Sequence, residues 1–375
     1  MTANIVTRQR TVAIIGTRGY PSYYGGFETA VRHLAPFLAD QGWGVTVYGR
    51  RNATADSEAD PRVRRRLTPG VESKSVSTLS YGLSSTLDAA VRKPDVALVM
   101  NVANGFFLPA LKLRGIPTLV NVDGIEWDRE KWGATAKRMF LAGARATARY
   151  ADELVFDAEA IGDRWRRDFA VSRGVFIPYG GDAPGDLEVE PGLGHRSYVL
   201  AVARFVPENT IEEFLEAASR LARDTKVVLV GSSGYGGELD ERAKALAEKQ
   251  PNFLWLGHLR DDRRLNSLWQ HAGAYFHGHS VGGTNPALVQ AMACGAPTVA
   301  RDTVYNREVL GAAAEFVDPE PAAIESGIRR VLTDPVRQSE LSLTASARAA
   351  EAYSWQGVNT AYERALVDLI ERRTP

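Results

Sequence analysis

Thr11-Val12-Ala13-Ile14-Ile15, closed by Gly16, is a β-branched apolar run that reads as a buried strand. A loop with Gly19, Pro21, Gly25 and Gly26 follows it. A helix is then predicted from about Phe27 to Gln41, with Val31, Leu34, Ala35 and Leu38 as its apolar stripe. Pro36 falls inside that helix and should kink or divide it, and Gly42 is its stop signal. Val45-Thr46-Val47-Tyr48 reads as the next strand. Strand, loop, helix and strand in this order make a parallel βαβ unit, and the fold class is therefore α/β.

The alternation continues outward from there. Val96-Ala97-Leu98-Val99, Thr118-Leu119-Val120-Asn121, Glu153-Leu154-Val155-Phe156 and Val175-Phe176-Ile177 read as strands, with a basic helix from about Ala134 to Tyr150. The polar stretch 50–70, with Arg64, Arg65 and Arg66, reads as an exposed loop or a short edge strand. The stretch from Pro178 to Arg196 is rich in Gly and Pro and reads as an interdomain linker. Beyond it the pattern restarts. Tyr198–Val202, Lys226–Val230, 253–256, 274–277 and 297–300 are the predicted strands, and helices are expected at about Thr210 to Leu221 and Ala287 to Ala293. A last amphipathic helix is expected at about Trp355 to Arg372. The whole is two doubly wound, Rossmann-like halves around a hinge. The expected boundaries are 1–185 and 186–354, with a C-terminal helix in 355–375.

Bulk properties agree with two domains: 375 residues, at about 100–200 per domain. Apolar residues at 45% and charged residues at 24% exclude a largely disordered chain. Forty-five basic residues balance forty-five acidic ones, which argues against a nucleic-acid partner, since such proteins carry a basic excess. A single cysteine, Cys294, excludes an internal disulfide and a multi-cysteine metal site, and it reads as a buried small residue. No apolar run is long enough to span a membrane, and the start lacks the apolar core of a signal peptide. The expected location is cytoplasmic. Among the basic residues 37 are arginine, the side chain best shaped for bidentate bonds to phosphate.

Open parallel sheets bind ligands beyond the carboxyl ends of their strands, which directs attention to four loops. In Gly16-Thr17-Arg18-Gly19-Tyr20-Pro21-Ser22-Tyr23-Tyr24-Gly25-Gly26, Arg18 stands where a dinucleotide fingerprint needs glycine. Gly25 and Gly26 just ahead of a helix either admit a phosphate or form a steric turn. In the second loop Asp123, Glu126, Trp127, Asp128, Arg129, Lys131 and Trp132 crowd together, and carboxylates beside an aromatic face suit sugar hydroxyls. In the third, Arg204 directly follows a strand, where its fork could hold a diphosphate. The fourth runs from His277 to Pro286, with Thr284 as the N-cap candidate and Pro286 near the first helical position. If the strand extends that far, His277 and His279 point to one face. Two histidines without a third ligand do not make a metal site, and His279 reads as a ligand hydrogen bonder.

These loops resemble those of GT-B glycosyltransferases of family 4, and more narrowly the bacterial rhamnosyltransferase-like members. The stretches carrying the resemblance are Gly16-Thr17-Arg18-Gly19, Tyr24-Gly25-Gly26-Phe27-Glu28-Thr29, Asn121-Val122-Asp123-Gly124, Ala203-Arg204-Phe205-Val206-Pro207-Glu208-Asn209 and His277 through Pro286. The resemblance implies two Rossmann-like domains facing across a cleft, with a nucleotide sugar on the C-terminal domain and the acceptor on the N-terminal one. It implies a final helix returning to the first domain, retention of anomeric configuration, and no metal. The family's two glutamates fall at Gly282 and Gln290, and its donor-site lysine at Asn209. Gly282 and Asn209 suit the narrower group, whereas Gln290 departs from it. A glutamine holds a ribose hydroxyl less strongly than a carboxylate does, which suits a dTDP-linked donor as well as a UDP-linked one.

The expected roles follow. Arg204 and the backbone of Gly25, Gly26, Gly283 and Thr284 hold the diphosphate, and Gln290 contacts the ribose. Asn209, His279 and Asn285 are further donor contacts, while Tyr24, Glu126 and Trp127 meet the acceptor. Asp123 faces the transferred sugar or the acceptor hydroxyl, as a proton acceptor, so Asp123 and Arg204 are the catalytic candidates. The acceptor is expected to be a saccharide or lipid-linked saccharide. Lys137, Arg138, Arg145 and Arg149, with Phe140 and Leu141, make helix 134–150 either a solvated face or one that lies against an anionic membrane. Two other readings stay open: decoration of a small soluble natural product, and a non-catalytic nucleotide-sugar-binding relative.

Overall fold

The computed structural model describes residues 8–23, 25–50, 59–72, 77–130, 132–234 and 236–373. Two compact units are present. The first comprises residues 1–127, 134–177 and 358–375, and the second 128–133 and 178–357.

The first unit is one parallel sheet. Its strands are β1 (Thr11–Ile15), β2 (Gly44–Gly49), β3 (Arg64–Leu67), β4 (Val96–Met100), β5 (Thr118–Asn121), β6 (Glu153–Phe156) and β7 (Val175–Phe176), in the order β3-β2-β1-β4-β5-β6-β7. Its helices include α1 (Gly26–Asp40), α2 (Ser77–Arg92), α3 (Leu108–Leu113), α4 (Ala134–Tyr150) and α5 (Glu159–Phe169). β4 is buried along its whole length, as a strand covered on both faces must be. The arginine run forms the edge strand β3. Arg66 pairs with Asp88 of α2 at 2.5 Å, and Arg64 and Arg65 stay exposed. Charges on an edge discourage pairing with another chain. Pro36 does not divide α1, which runs unbroken from Gly26 to Asp40.

The second unit repeats the plan. Its strands are β8 (Tyr198–Val202), β9 (Lys226–Val230), β10 (Phe253–Gly257), β11 (Ala274–His277), β12 (Thr298–Arg301) and β13 (Ala314–Val317), all parallel, in the order β10-β9-β8-β11-β12-β13. Its helices are α6 (Ile211–Leu221), α7 (Glu238–Lys249), α8 (Asp262–His271), α9 (Pro286–Ala293), α10 (Val304–Leu310), α11 (Pro321–Leu332) and α12 (Pro335–Ala352). α6 buries Ile211, Phe214, Leu215, Ala218 and Leu221 at helical spacing, and Phe214 stacks on Phe276 with centroids 5.2 Å apart. Each such large side chain contributes about 1.5–3 kcal/mol on burial. The last helix, α13 (Trp355–Glu371), begins in the second unit and belongs to the first from Val358 onward.

The Gly/Pro-rich stretch after Ile177 is not a free tether. The amide of Gly181 donates to the Tyr353 carbonyl at 2.8 Å, Ser267 Oγ donates to the Glu188 carbonyl, and Glu190 pairs with Arg264 at 2.6 Å. A Cβ on Gly181 would lie 2.6 Å from the Val289 carbonyl oxygen. Glycine there serves a close crossing over α9.

Candidate functional site

Both strand orders reverse at one point, between β1 and β4 and between β8 and β11. Doubly wound sheets hold ligands at such points. In the second unit the flanking loops are 203–210 and 278–285, and they are laced together. Ser280 donates its amide (2.8 Å) and its hydroxyl (3.0 Å) to the Glu208 carbonyl. Thr210 Oγ1 donates to the Gly278 carbonyl at 2.5 Å, and Arg301 Nη1 donates to Thr210 Oγ1 at 3.0 Å. A Cβ at Gly278 would lie 2.5 Å from the Asn209 carbonyl oxygen, so glycine alone lets the loops approach this closely.

Arg204 is exposed, and its side chain makes no hydrogen bond or ion pair among the described residues. His277 and His279 do share a face: their rings stack with centroids 4.3 Å apart and planes 12° apart. His277 Nδ1 lies 3.0 Å from Tyr275 Oη, and its buried Nε2 has no partner among the described residues. Burial pushes the His277 pKa down to about 3. Burial, then His277, Arg204 and Arg129, push that of His279 well below the usual histidine range. Both rings are neutral at pH 7. Arg129 belongs to the short segment 128–133 that groups with this unit. Its Nη2 lies 3.9 Å from where a Cβ on Gly282 would be. The Gly282 and Gly283 amides make no hydrogen bond among the described residues. Two guanidinium groups, a neutral imidazole and two free N–H groups thus gather at one loop, a seat fitted to a diphosphate.

Several expected donor contacts have other employment. The N-cap of α9 is Asn285, not Thr284. Asn285 Oδ1 accepts from the amides of Ala287 (2.9 Å) and Leu288 (3.3 Å), and Pro286 has no N–H. The first turn of α9 is therefore closed to an anion, and Thr284 is buried. Asn209 is buried too, with Nδ2 donating to the Arg204 carbonyl at 2.8 Å, so it holds the Arg204 loop in shape. Gln290 is clamped to the chain crossing above it. Its Nε2 donates to the Asp182 carbonyl at 2.9 Å, and its Oε1 accepts from the Asp182 amide at 3.3 Å. Cys294 is buried, and its thiol is pushed up to about 12. Glu208 was not expected to stand out. It is 4% exposed, and neither carboxyl oxygen has a hydrogen-bond partner among the described residues.

In the first unit Asp123 follows β5 in the left-handed region, at φ 62°, a conformation that costs a non-glycine residue about 1–3 kcal/mol. Its amide donates to Asn121 Oδ1 at 2.9 Å, and Asn121 Nδ2 donates to Tyr362 Oη of α13 at 2.7 Å. Asp123 itself is half-buried. Glu126 is buried, and Trp127 turns its ring edge-on to Trp165 (6.2 Å) and Phe169 (5.7 Å), so it packs an aromatic cluster instead of offering an open platform. Tyr24 lies outside the described residues. At Gly25 the Glu28 carboxylate lies 3.3 Å from where a Cβ would be, and Glu28 Oε1 accepts from the Arg18 amide. A carboxylate already sits at the start of α1, so Gly25 and Gly26 are a poor place for a diphosphate.

Residues 25–180 match the family described as glycosyl transferase 4-like domain, and residues 189–350 match glycosyl transferases group 1. Together the two stretches take in most of the chain, and the protein belongs to the group 1, family-4-like glycosyltransferases of GT-B fold. A curated relative, O-antigen chain mannosyltransferase B of Escherichia coli, is 26% identical over 172 residues, 45% of each chain, so the match spans just under half of that protein. It is a mannosyltransferase, and the narrower rhamnosyltransferase-like expectation draws no support from it. Sucrose-phosphate synthase from Thermosynechococcus elongatus is similar in fold, with TM-score 0.82 and 18% identity over 97% of this chain and 100% of that one. Alr3699/HepE of Anabaena, solved in complex with UDP, gives TM-score 0.70 and 15% identity over 96% and 100%. The same protein is also known with UDP-glucose.

Proposed function

We propose that this protein moves a hexosyl group, rhamnose or a related hexose, from a nucleoside-diphosphate sugar to a saccharide or lipid-linked saccharide, with retention. The observation that carries this reading is the seat formed by Arg204, Arg129, His279 and the Gly282–Gly283 amides. Breaking the bond between the anomeric carbon and the diphosphate leaves charge on the departing oxygens. Donors fixed in advance stabilise that charge without reorganising. Retention rests on the family resemblance. Asp123 is read as the group facing the sugar or taking the proton of the incoming hydroxyl, and its strained, tethered backbone supports a functional role. Replacing Arg204 with Ala is expected to lower kcat by about two to three orders of magnitude. Near-normal turnover of R204A would refute the role.

The nucleotide is read from Gln290. Its amide is taken by the Asp182 backbone, so the ribose is not offered the strong acceptor a family glutamate would supply. That favours a donor with fewer ribose hydroxyls, such as a dTDP-sugar. Titration with dTDP and UDP checks this, and a clear preference for UDP overturns it. On the acceptor side, α4 is read as the face that meets an anionic lipid surface.

A further inference from the structure

Arg50 follows directly on β2, at the ligand-binding edge of the first sheet. It is 8% exposed. Its guanidinium lies over the Tyr81 ring, 5.0 Å from the centroid. Among the described residues its only side-chain hydrogen bond is a long one, 3.4 Å from Nη1 to Ser77 Oγ, and the buried Nε has no partner. It has no ion pair there either. A guanidinium has five N–H groups to satisfy, and burying a cation without a counter-ion is costly.

Among the described residues nothing supplies that counter-ion. The Arg50 amide donates to the Arg18 carbonyl at 3.0 Å, which brings a second arginine onto the neighbouring strand end. Gly49 and Gly19 pack so closely that a Cβ on Gly49 would lie 2.8 Å from Gly19 Cα, so the loop after β1 lies against the end of β2. Burial first and Arg18 next lower the Arg50 pKa, while Glu72, Glu28 and Tyr81 oppose them. Neither carboxylate reaches Arg50, since no ion pair forms, and Glu28 Oε1 is already bonded to the Arg18 amide.

We propose that Arg50, with Arg18, is the seat for a phosphoryl oxyanion carried by the acceptor. The proposal rests on the acceptor lying in the first unit and names its chemical class. A tetrahedral dianion has oxygens for two guanidinium forks, and bidentate arginine contacts are the strong ones. The phosphate can come from a lipid headgroup or from a soluble ester. Tyr81 beneath the guanidinium holds it in plane.

The test uses the full chain with its donor seat filled by saturating dTDP, titrated with geranyl phosphate, with inorganic phosphate, and with acetate as control. Wild type is expected to bind both phosphates. Arg50→Met, which keeps an apolar stem on Tyr81, is expected to weaken them about 10–100-fold. Its dTDP affinity should stay within about twofold, and its thermal midpoint should be unchanged or higher, because a buried unpaired cation is gone. A merely structural arginine would lower the midpoint instead. Equal affinity for the two phosphates points to a soluble ester, and much tighter geranyl phosphate binding points to a lipid-linked one. Should Arg50→Met fail to fold, Arg18→Gln is expected to show the same loss. Unchanged phosphate binding in the variant, no phosphate binding by wild type, or acetate binding as well as phosphate would overturn the proposal. Failure of wild type to bind dTDP or UDP would instead count against the donor reading, while titration without nucleotide still reports on Arg50.

Discussion

His277 and His279 are stacked, the first buried and the second half-buried, and both are held neutral, so they tie stability to pH. In the folded state the His277 pKa is lowered to about 3 and that of His279 lies well below its usual value. In the unfolded chain both titrate near about 6.5. Between those limits the unfolded state binds more protons, so stability is full above about pH 6.5 and is lost as pH falls. The slope is about 1.4 kcal/mol per pH unit for each group. Urea midpoints at pH 7 and pH 5 should show this loss, and His277→Gln should remove roughly half of it. Equal slopes in the variant and wild type would contradict the assignment. Other residues are equally informative at this level. Arg204 could be chosen from the sequence because it follows a strand directly. Asn209 and Gln290 could not be judged that way, because their side chains bond to the backbone of Arg204 and Asp182. Glu208 looks no different in the sequence from Glu212 or Glu213, and only its burial separates it.

Most strands were legible because fully buried parallel strands read as short β-branched runs, and β1, β4, β8 and β9 are such runs. β13, Ala-Glu-Phe-Val, escaped notice because it alternates instead of running apolar. α2 escaped because its buried face is made of Tyr81, Gly82, Ser85, Thr86, Ala89 and Ala90, with little hydrophobic contrast. α4 was placed at its observed limits, Ala134 to Tyr150. Arg138, Arg145 and Arg149 are exposed, Leu141 is half-buried, and Phe140 is buried in the unit, so it adds no free apolar area. A membrane contact by α4, as proposed, would then be chiefly electrostatic. Flotation with anionic liposomes should carry the protein up at low salt and release it at high salt, because the Debye length shortens to about 8 Å at physiological ionic strength. Replacing the three arginines with Gln should abolish flotation, and no binding at low salt would remove the membrane reading. No helix among the described residues is long and apolar enough to cross a membrane.

Over the whole molecule, α13 joins the end of the chain to residues far away in sequence. Tyr362 Oη accepts from Asn121 Nδ2, Trp43 Nε1 donates to Glu363 at 3.1 Å, and Arg372 pairs with Glu153 at 2.8 Å. Through Asn121 this helix also sets the backbone of Asp123. Tyr362→Phe leaves Asn121 with a buried, unpaired N–H, at a cost of about 1–3 kcal/mol. It should lower the thermal midpoint and reduce kcat more than donor affinity. A midpoint drop with unchanged kcat would show that the tether has no bearing on Asp123. The alternation of short apolar strands with amphipathic helices, repeated on either side of a Gly/Pro-rich stretch, was enough for the two doubly wound halves, because strand and helix periods are local properties of the chain. The loops after the strands likewise marked the edge at which doubly wound sheets hold ligands, since parallel topology brings them together there. Tertiary structure decided which side chains in those loops are available. Asn285, Asn209 and Gln290 are taken by nearby backbone, Arg129 is brought beside Gly282, and Arg50 is buried with no ion pair among the described residues. Hydrogen-bond satisfaction and desolvation depend on neighbours distant in sequence, so they cannot be read from local spacing.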